Sequence, residues 1–206
     1  MSQAQGQDRV PSLPAAVPRM PRNAFAQWLA RSLLRSGGWT LVGEFPDLPK
    51  AVLIAAPHSS NWDGIWGFAA KVAVGIRLSV LGKHSLFRIP VLAQVLRWQG
   101  VIPVDRAMPL GVIEQAIATI RAHEAIWYAI APEGTRRRVP HWKTGFWKIA
   151  HGAGVPVVPA AFDYPNRRIV IGAALALTDD MEADIARIQR WYAPFHGRNH
   201  DVRQPD

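Results

Sequence analysis

Two patterns of hydrophobic and polar positions alternate along this chain. Short apolar runs rich in Val and Ile, at 39–45, 51–56, 78–82, 101–104, 126–131, 155–160 and 168–173, predict strands. Between them the apolar positions recur at helical spacing. Residues 62–75 and 90–98 suit helices, and Leu110, Ile113, Ile117 and Ile120 mark one face of another. Met181, Ile185, Ile188 and Trp191 form the stripe of a last helix, with Asp179, Asp180 and Glu182 at its start and Pro194 at its close. Strand runs alternating with helices predict an α/β fold: a single domain with a largely parallel central sheet flanked by helices. No internal repeat and no linker interrupts the pattern after Gly38.

Two segments precede that domain, which is expected over 39–200. Residues 1–22 carry Pro11, Pro14, Pro18 and Pro21 and predict a flexible leader, because proline blocks helix interiors and supplies no amide donor. They lack the apolar stretch of a secretory signal. Residues 23–38 predict one amphipathic helix, capped by Asn23 and ended by Gly37 and Gly38. Phe25, Trp28, Leu29 and Leu33 form its apolar stripe, with Arg31 and Arg35 off it. Such a stripe suits a lipid interface and equally suits docking on the chain's own domain. The most apolar helical stretch, 65–76, is interrupted by Lys71 and is shorter than the roughly 20 residues that span a bilayer.

Composition narrows the partners. A chain of 206 residues, 49% hydrophobic, can bury one sizeable core, yet it carries a net charge of +9, so its partners are expected to be anionic. Nucleic acid, anionic lipid and phosphorylated substrates all satisfy that field. No helix-turn-helix or RNA-recognition signature is present, so nucleic acid is not expected. Nine tryptophans fit either a membrane interface or a packed core. The absence of cysteine excludes disulfides, thiolate catalysis and Cys-ligated zinc. His196 and His200 have i, i+4 spacing, but Gly197 lies between them and no third ligand is near, so no metal site is expected.

Candidate chemistry sits where strands end. His58-Ser59-Ser60-Asn61-Trp62-Asp63 follows one strand and opens a helix, the position where open α/β sheets place ligands. With His58 before the helix and Asp63 in its first turn, the carboxylate can fix the imidazole tautomer while the other nitrogen accepts a proton. The same residues also suit a helix start, with Ser60 or Asn61 as cap and Asp63 facing the dipole. Glu133-Gly134-Thr135-Arg136, followed by Arg137, Arg138 and Lys143, combines a permissive glycine with guanidinium groups, a pattern for phosphate and equally for a solvated basic turn. Asp105 and Arg106 end a third strand, where an ion pair of Arg106 with Glu133 is the plain alternative. Val155 to Pro159 is an apolar strand bracketed by prolines.

In this order the four segments resemble the glycerolipid acyltransferase family, whose best-known members are 1-acylglycerol-3-phosphate acyltransferases. The His-x-x-x-x-Asp block matches His58 to Asp63, the Gly-x-Ile-x-Val-Asp-Arg block Gly100 to Arg106, the Pro-Glu-Gly-Thr-Arg block Pro132 to Arg136, and the last block Val155 to Pro159. Pro57 stands where the family pattern has asparagine, Trp62 adds a bulky group beside the pair, and the glycine usual shortly after Pro90 is missing. The resemblance implies a glycerol-3-phosphate acyltransferase-like fold, with His58 as general base and Asp63 orienting it. It implies that Arg106, Glu133, Gly134, Thr135 and Arg136 bind or organise the acceptor's phosphate, with Lys143 adding charge and Lys83 matching a family lysine. The implied reaction moves an acyl group from acyl-coenzyme A or acyl-carrier protein to a lysophospholipid hydroxyl, 1-acylglycerol-3-phosphate first among acceptors, with no cofactor or metal. The expected location is cytoplasmic, peripheral on an anionic membrane surface at its inner face. Other readings are a different acceptor such as an ornithine lipid or other lysolipid, hydrolysis by the same pair, and a non-catalytic lipid-binding protein on the same fold.

Overall fold

The computed structural model describes residues 10–83, 87–90, 93–94, 100–104 and 111–205, with the backbone alone at 81–83 and 102–104. Seven strands form one sheet: β1 (Thr40–Val42), β2 (Lys50–Ala56), β3 (Leu78–Lys83), β4 (Val101–Val104), β5 (Ile126–Ile130), β6 (Val157–Asp163) and β7 (Arg168–Ile171). Their order across the sheet is β1-β7-β6-β2-β5-β3-β4. Every pairing is parallel except the β6-β7 hairpin. Each expected strand forms. The apolar runs in β2 and β6 are continuous rather than alternating because both faces of these strands are covered.

Among the described residues five helices flank the sheet: α1 (Ala24–Ser36), α2 (Asn61–Val74), α3 (Val112–Ala122), α4 (Gly145–Ala153) and α5 (Met181–Trp191). On one face Ala51, Leu53, Val158, Ala160 and Phe162 pack with α2 and, beyond it, α1. On the other, Val52, Ile54, Val157 and Ala161 pack against Ile120 of α3, Phe146 and Ile149 of α4 and Ile188 of α5. Fully burying each such Val, Ile or Phe contributes about 1.5–3 kcal/mol, which makes these two layers the main source of stability. Tyr192, at the end of α5, is buried and donates to the Ile54 carbonyl at 2.7 Å, tying the C-terminal helix to β2.

Two expectations change, and one left open is decided. The proline-rich stretch is not a flexible leader from residue 10 onward: Leu13 and Val17 are buried in the α1/α2 layer, and Arg19 bridges to Ile76. Proline there removes only donors that no ladder needs, so the segment packs as irregular chain with a turn at 15–17. Helix α4 had no expected counterpart, since Gly145 and Gly152 obscure its pattern and Thr144 makes no side-chain cap bond. The apolar stripe of α1 faces away from the domain. Ala30 and Leu34 face inward, whereas Phe25 and Trp28 are 70% and 59% exposed. The helix expected over 90–98 lies largely outside the described residues.

Candidate active site

Strand order explains why motifs far apart in sequence meet. β2 lies between β5 and β6, with Ile54 opposite Ile130 and Ala56 opposite Ala161. The loops leaving the carboxyl ends of these three neighbours therefore converge. The first carries His58, the second Glu133 and the third Tyr164.

Ser60 caps α2, its hydroxyl accepting from the Trp62 N–H at 3.2 Å, and Asp63 completes a capping box. Asp63 Oδ2 accepts the backbone N–H groups of Ser59 and Ser60, each at 2.7 Å. The same oxygen lies 3.4 Å from His58 Nδ1, with the Asp63 side chain fully buried and that of His58 23% exposed. The other carboxylate oxygen, Oδ1, accepts from the Tyr164 hydroxyl. The carboxylate that caps the helix is thus also the one that faces His58. Burial alone would raise the Asp63 pKa, but the hydrogen bonds from His58, Tyr164, Ser60 and Ser59 outweigh it and hold the carboxyl below its ordinary value. With Nδ1 turned to Asp63, the ring's Nε2 is left to exchange a proton with a substrate.

Glu133 locks the second loop to the first. Its Oε1 accepts the backbone N–H of His58 at 3.0 Å. The side chain is buried, and its Oε2 has no hydrogen-bond partner among the described residues. Burial, the largest influence, pushes the Glu133 pKa up against the opposing pull of the His58 N–H. Gly134 has φ +63, and a Cβ there would meet Lys143 Cε and Nζ at 2.9 Å, so the lysine lies across the turn. Thr135 Oγ1 accepts from the Arg137 N–H at 3.3 Å. Arg136 lines an open cleft with Ser59 and Ser60.

The structure therefore brings together His58, Asp63, Glu133, Gly134, Thr135, Arg136 and Lys143. Lys83 ends β3, two strands from β2, and Arg106 lies outside the described residues. The sequence gives no signal for Tyr164, Arg198, Asn199 or Asp201 at this site, and marks His196 and His200 only as an unsupported metal pair. Ser-x-x-Asp at 60–63 was a readable capping signal, but nothing in the sequence marks Tyr164 as a partner of Asp63. Among the described residues no group of His, Asp and Glu side chains could hold a metal ion.

Residues 44–163 match the acyltransferase family. The chain is 30% identical over 121 residues to the 1-acyl-sn-glycerol-3-phosphate acyltransferase of Escherichia coli (strain K12), covering 55% of this chain and 47% of that protein. It is 27% identical over 108 residues to the chloroplastic 1-acyl-sn-glycerol-3-phosphate acyltransferase BAT2 of Brassica napus, covering 50% of this chain and 31% of that one. It thus spans less than half the length of either relative. The crystal structure of the 1-acyl-sn-glycerophosphate (LPA) acyltransferase PlsC of Thermotoga maritima superposes with a TM-score of 0.58 at 16% identity, over 84% of this chain and 80% of that one, a likeness of fold. The family match takes in more than half of the chain, including His58, Asp63, Glu133 and Lys143, and the protein belongs to the acyltransferase family.

Proposed function

We propose that this acyltransferase family member esterifies a lysophospholipid hydroxyl, with 1-acylglycerol-3-phosphate as acceptor and acyl-coenzyme A or acyl-carrier protein as donor. The observation that carries the reading is the junction at His58: its ring faces buried Asp63, and its amide is held by Glu133 of the Glu-Gly-Thr-Arg loop. His58 Nε2 takes the proton of the acceptor hydroxyl as that oxygen attacks the thioester carbonyl. The tetrahedral adduct expels the thiolate, which recovers the proton from the imidazolium, giving ester and free thiol. Asp63 stabilises the imidazolium without leaving its capping bonds. Arg136 and Lys143, with Arg106 and Lys83 by resemblance, supply positive charge for the phosphate.

Beneath α2 an apolar cavity of about 110 Å³, walled by residues such as Leu53, Gly67, Ala70 and Phe162, would receive the start of the acyl chain. Lipid access is supported by the outer surface. Apart from Val42 and Ile89, the exposed large hydrophobics of the described residues all lie on α1 (Phe25, Trp28, Leu29, Leu33) or α2 (Trp62, Ile65, Phe68). No described helix is long and apolar enough to cross a membrane. The two helices pack together, and α2 begins at the catalytic loop, so this face resting on an anionic bilayer would bring lipid to His58.

The test is thiol release from acyl-coenzyme A by purified protein with liposomes, comparing lysophosphatidic acid, other lysolipids, an ornithine lipid precursor and no acceptor. Release is expected to require lysophosphatidic acid, and His58→Ala to lose roughly 10²–10⁴-fold in rate. Near-normal turnover by His58→Ala refutes the mechanism. Release without any acceptor makes the protein a hydrolase, and release only with another acceptor reassigns the substrate.

A further inference from the structure

After α5 the chain returns to the catalytic loop and is fastened across it. The Tyr164 N–H donates to the His196 carbonyl at 2.9 Å. The Asn199 side chain donates to the Ser59 carbonyl at 2.6 Å, and its backbone N–H to Ser59 Oγ at 3.2 Å. His200 Nε2 lies 3.2 Å from the Arg136 carbonyl, and Asp201 accepts the Gly197 N–H at 2.9 Å. A Cβ at Gly197 would meet Pro57 Cγ at 2.9 Å and Ser59 Oγ at 3.0 Å, so only glycine lets the strap lie this close.

The strap brings Arg198 to the site. Its guanidinium carbon sits 5.3 Å above the Trp62 ring, whose indole in turn stacks on Trp66. The open cleft there, about 420 Å³, is lined by Arg136, Arg137 and Arg198, with Ser60, Asn61 and Asn199 as further polar groups and no carboxylate. None of the three arginines has a carboxylate partner among the described residues. Three like charges around one cleft repel one another, and a bound dianion relieves that repulsion while accepting bidentate bonds.

We infer that the C-terminal strap completes a phosphate-binding subsite, in which Arg198 and Arg137 join the motif residue Arg136 beside the catalytic loop. The ligand class is a phosphate ester, carried by the acceptor headgroup or by the coenzyme portion of the donor. The inference deepens the proposed function and rests on it only for which substrate carries the phosphate.

Equilibrium binding tests it without turnover. Titration calorimetry at low salt, where exposed charges are least screened, would compare glycerol 3-phosphate, coenzyme A and neutral glycerol on the wild type, Arg198→Ala and Arg198→Lys. At least one phosphate probe is expected to bind the wild type and to lose roughly tenfold in affinity in Arg198→Ala, with partial recovery in Arg198→Lys. Loss confined to glycerol 3-phosphate assigns the subsite to the acceptor, and loss confined to coenzyme A assigns it to the donor. The inference is overturned if neither probe binds the wild type, or if both bind Arg198→Ala as tightly as the wild type. Arg198-dependent binding in a protein that transfers no acyl group would leave the subsite standing and remove the enzymatic reading.

Discussion

One oxygen of Asp63 caps the helix and faces His58, and Tyr164 donates to the other. Three donors besides His58 converge on two oxygens, so the carboxylate stays ionised despite complete burial. Tyr164 itself is wedged edge-on against Trp39, which stacks on Trp66. In Tyr164→Phe the ring remains and only the donor to Oδ1 is lost. The Asp63 pKa then rises, because a bond that lowered it is gone and the burial that raises it is not. Activity is expected to fall roughly tenfold, a transition-state loss near 1.4 kcal/mol. The acid limb of the pH-rate profile is expected to move to higher pH, since protonated Asp63 no longer orients His58. An unshifted profile would mean that Tyr164 only fills space. Sequence pattern located His58 and Asp63 as a pair but left cap and catalyst as competing roles for the aspartate. In the structure the capping bonds and His58 share one oxygen, Oδ2, and Oδ1 is left to receive Tyr164.

At the scale of elements, the strands were legible because buried parallel strands are continuous runs of Val and Ile bounded by turns. What could not be read from those runs is their order, since β6 reaches the side of β2 through pairings far apart in sequence. That order is what makes three loops converge. Helix α4 was missed for a local reason, its glycines and uncapped start, although Phe146, Ile149 and Ala150 lie at helical spacing. Helix α2 holds a charge that the pattern read as a mere interruption. Lys71 lines the apolar cavity and donates to the Leu78 carbonyl at 3.3 Å. Burial first, and the neighbouring Arg77 charge second, bring its pKa down to about 8. Below that pH the ammonium is charged in both the folded and unfolded chain, and folding bears its desolvation. As pH rises from about 8 toward the ordinary lysine value of 10.5, the unfolded chain holds the proton more often than the folded one, so stability increases with pH. Lys71→Met is therefore expected to be more stable than wild type at pH 7 by on the order of 1–2 kcal/mol, after allowance for partial exposure. Urea midpoints should show that advantage shrinking across the window, and a constant difference would contradict a charge-based cause.

For the molecule as a whole, surface chemistry divides between a basic field and an apolar face. The charge of +9 was evident in the sequence, as was the stripe on α1, but the direction of that stripe was not. Periodicity gives a helix its two faces without saying which one the domain takes. Here the domain takes the face of Ala30 and Leu34, which packs against α2, and leaves Phe25, Trp28, Leu29 and Leu33 outside. Tryptophans divide in the same way: Trp39, Trp127 and Trp142 are buried, whereas Trp28 and Trp62 are exposed. If this face docks on lipid, each large side chain inserted removes apolar surface from water, about 1.5–3 kcal/mol when fully buried. Leu29→Glu should then weaken sedimentation with anionic vesicles by at least roughly tenfold, since it removes that term and adds a repelled charge. The unfolding midpoint should hold, because Leu29 is exposed in the folded protein. Raising salt should weaken the wild type as well, through the basic field, while leaving an apolar remainder. Binding by Leu29→Glu equal to wild type, abolished in both by salt, would reduce the membrane contact to charge alone and leave the apolar face of α1 and α2 for another role.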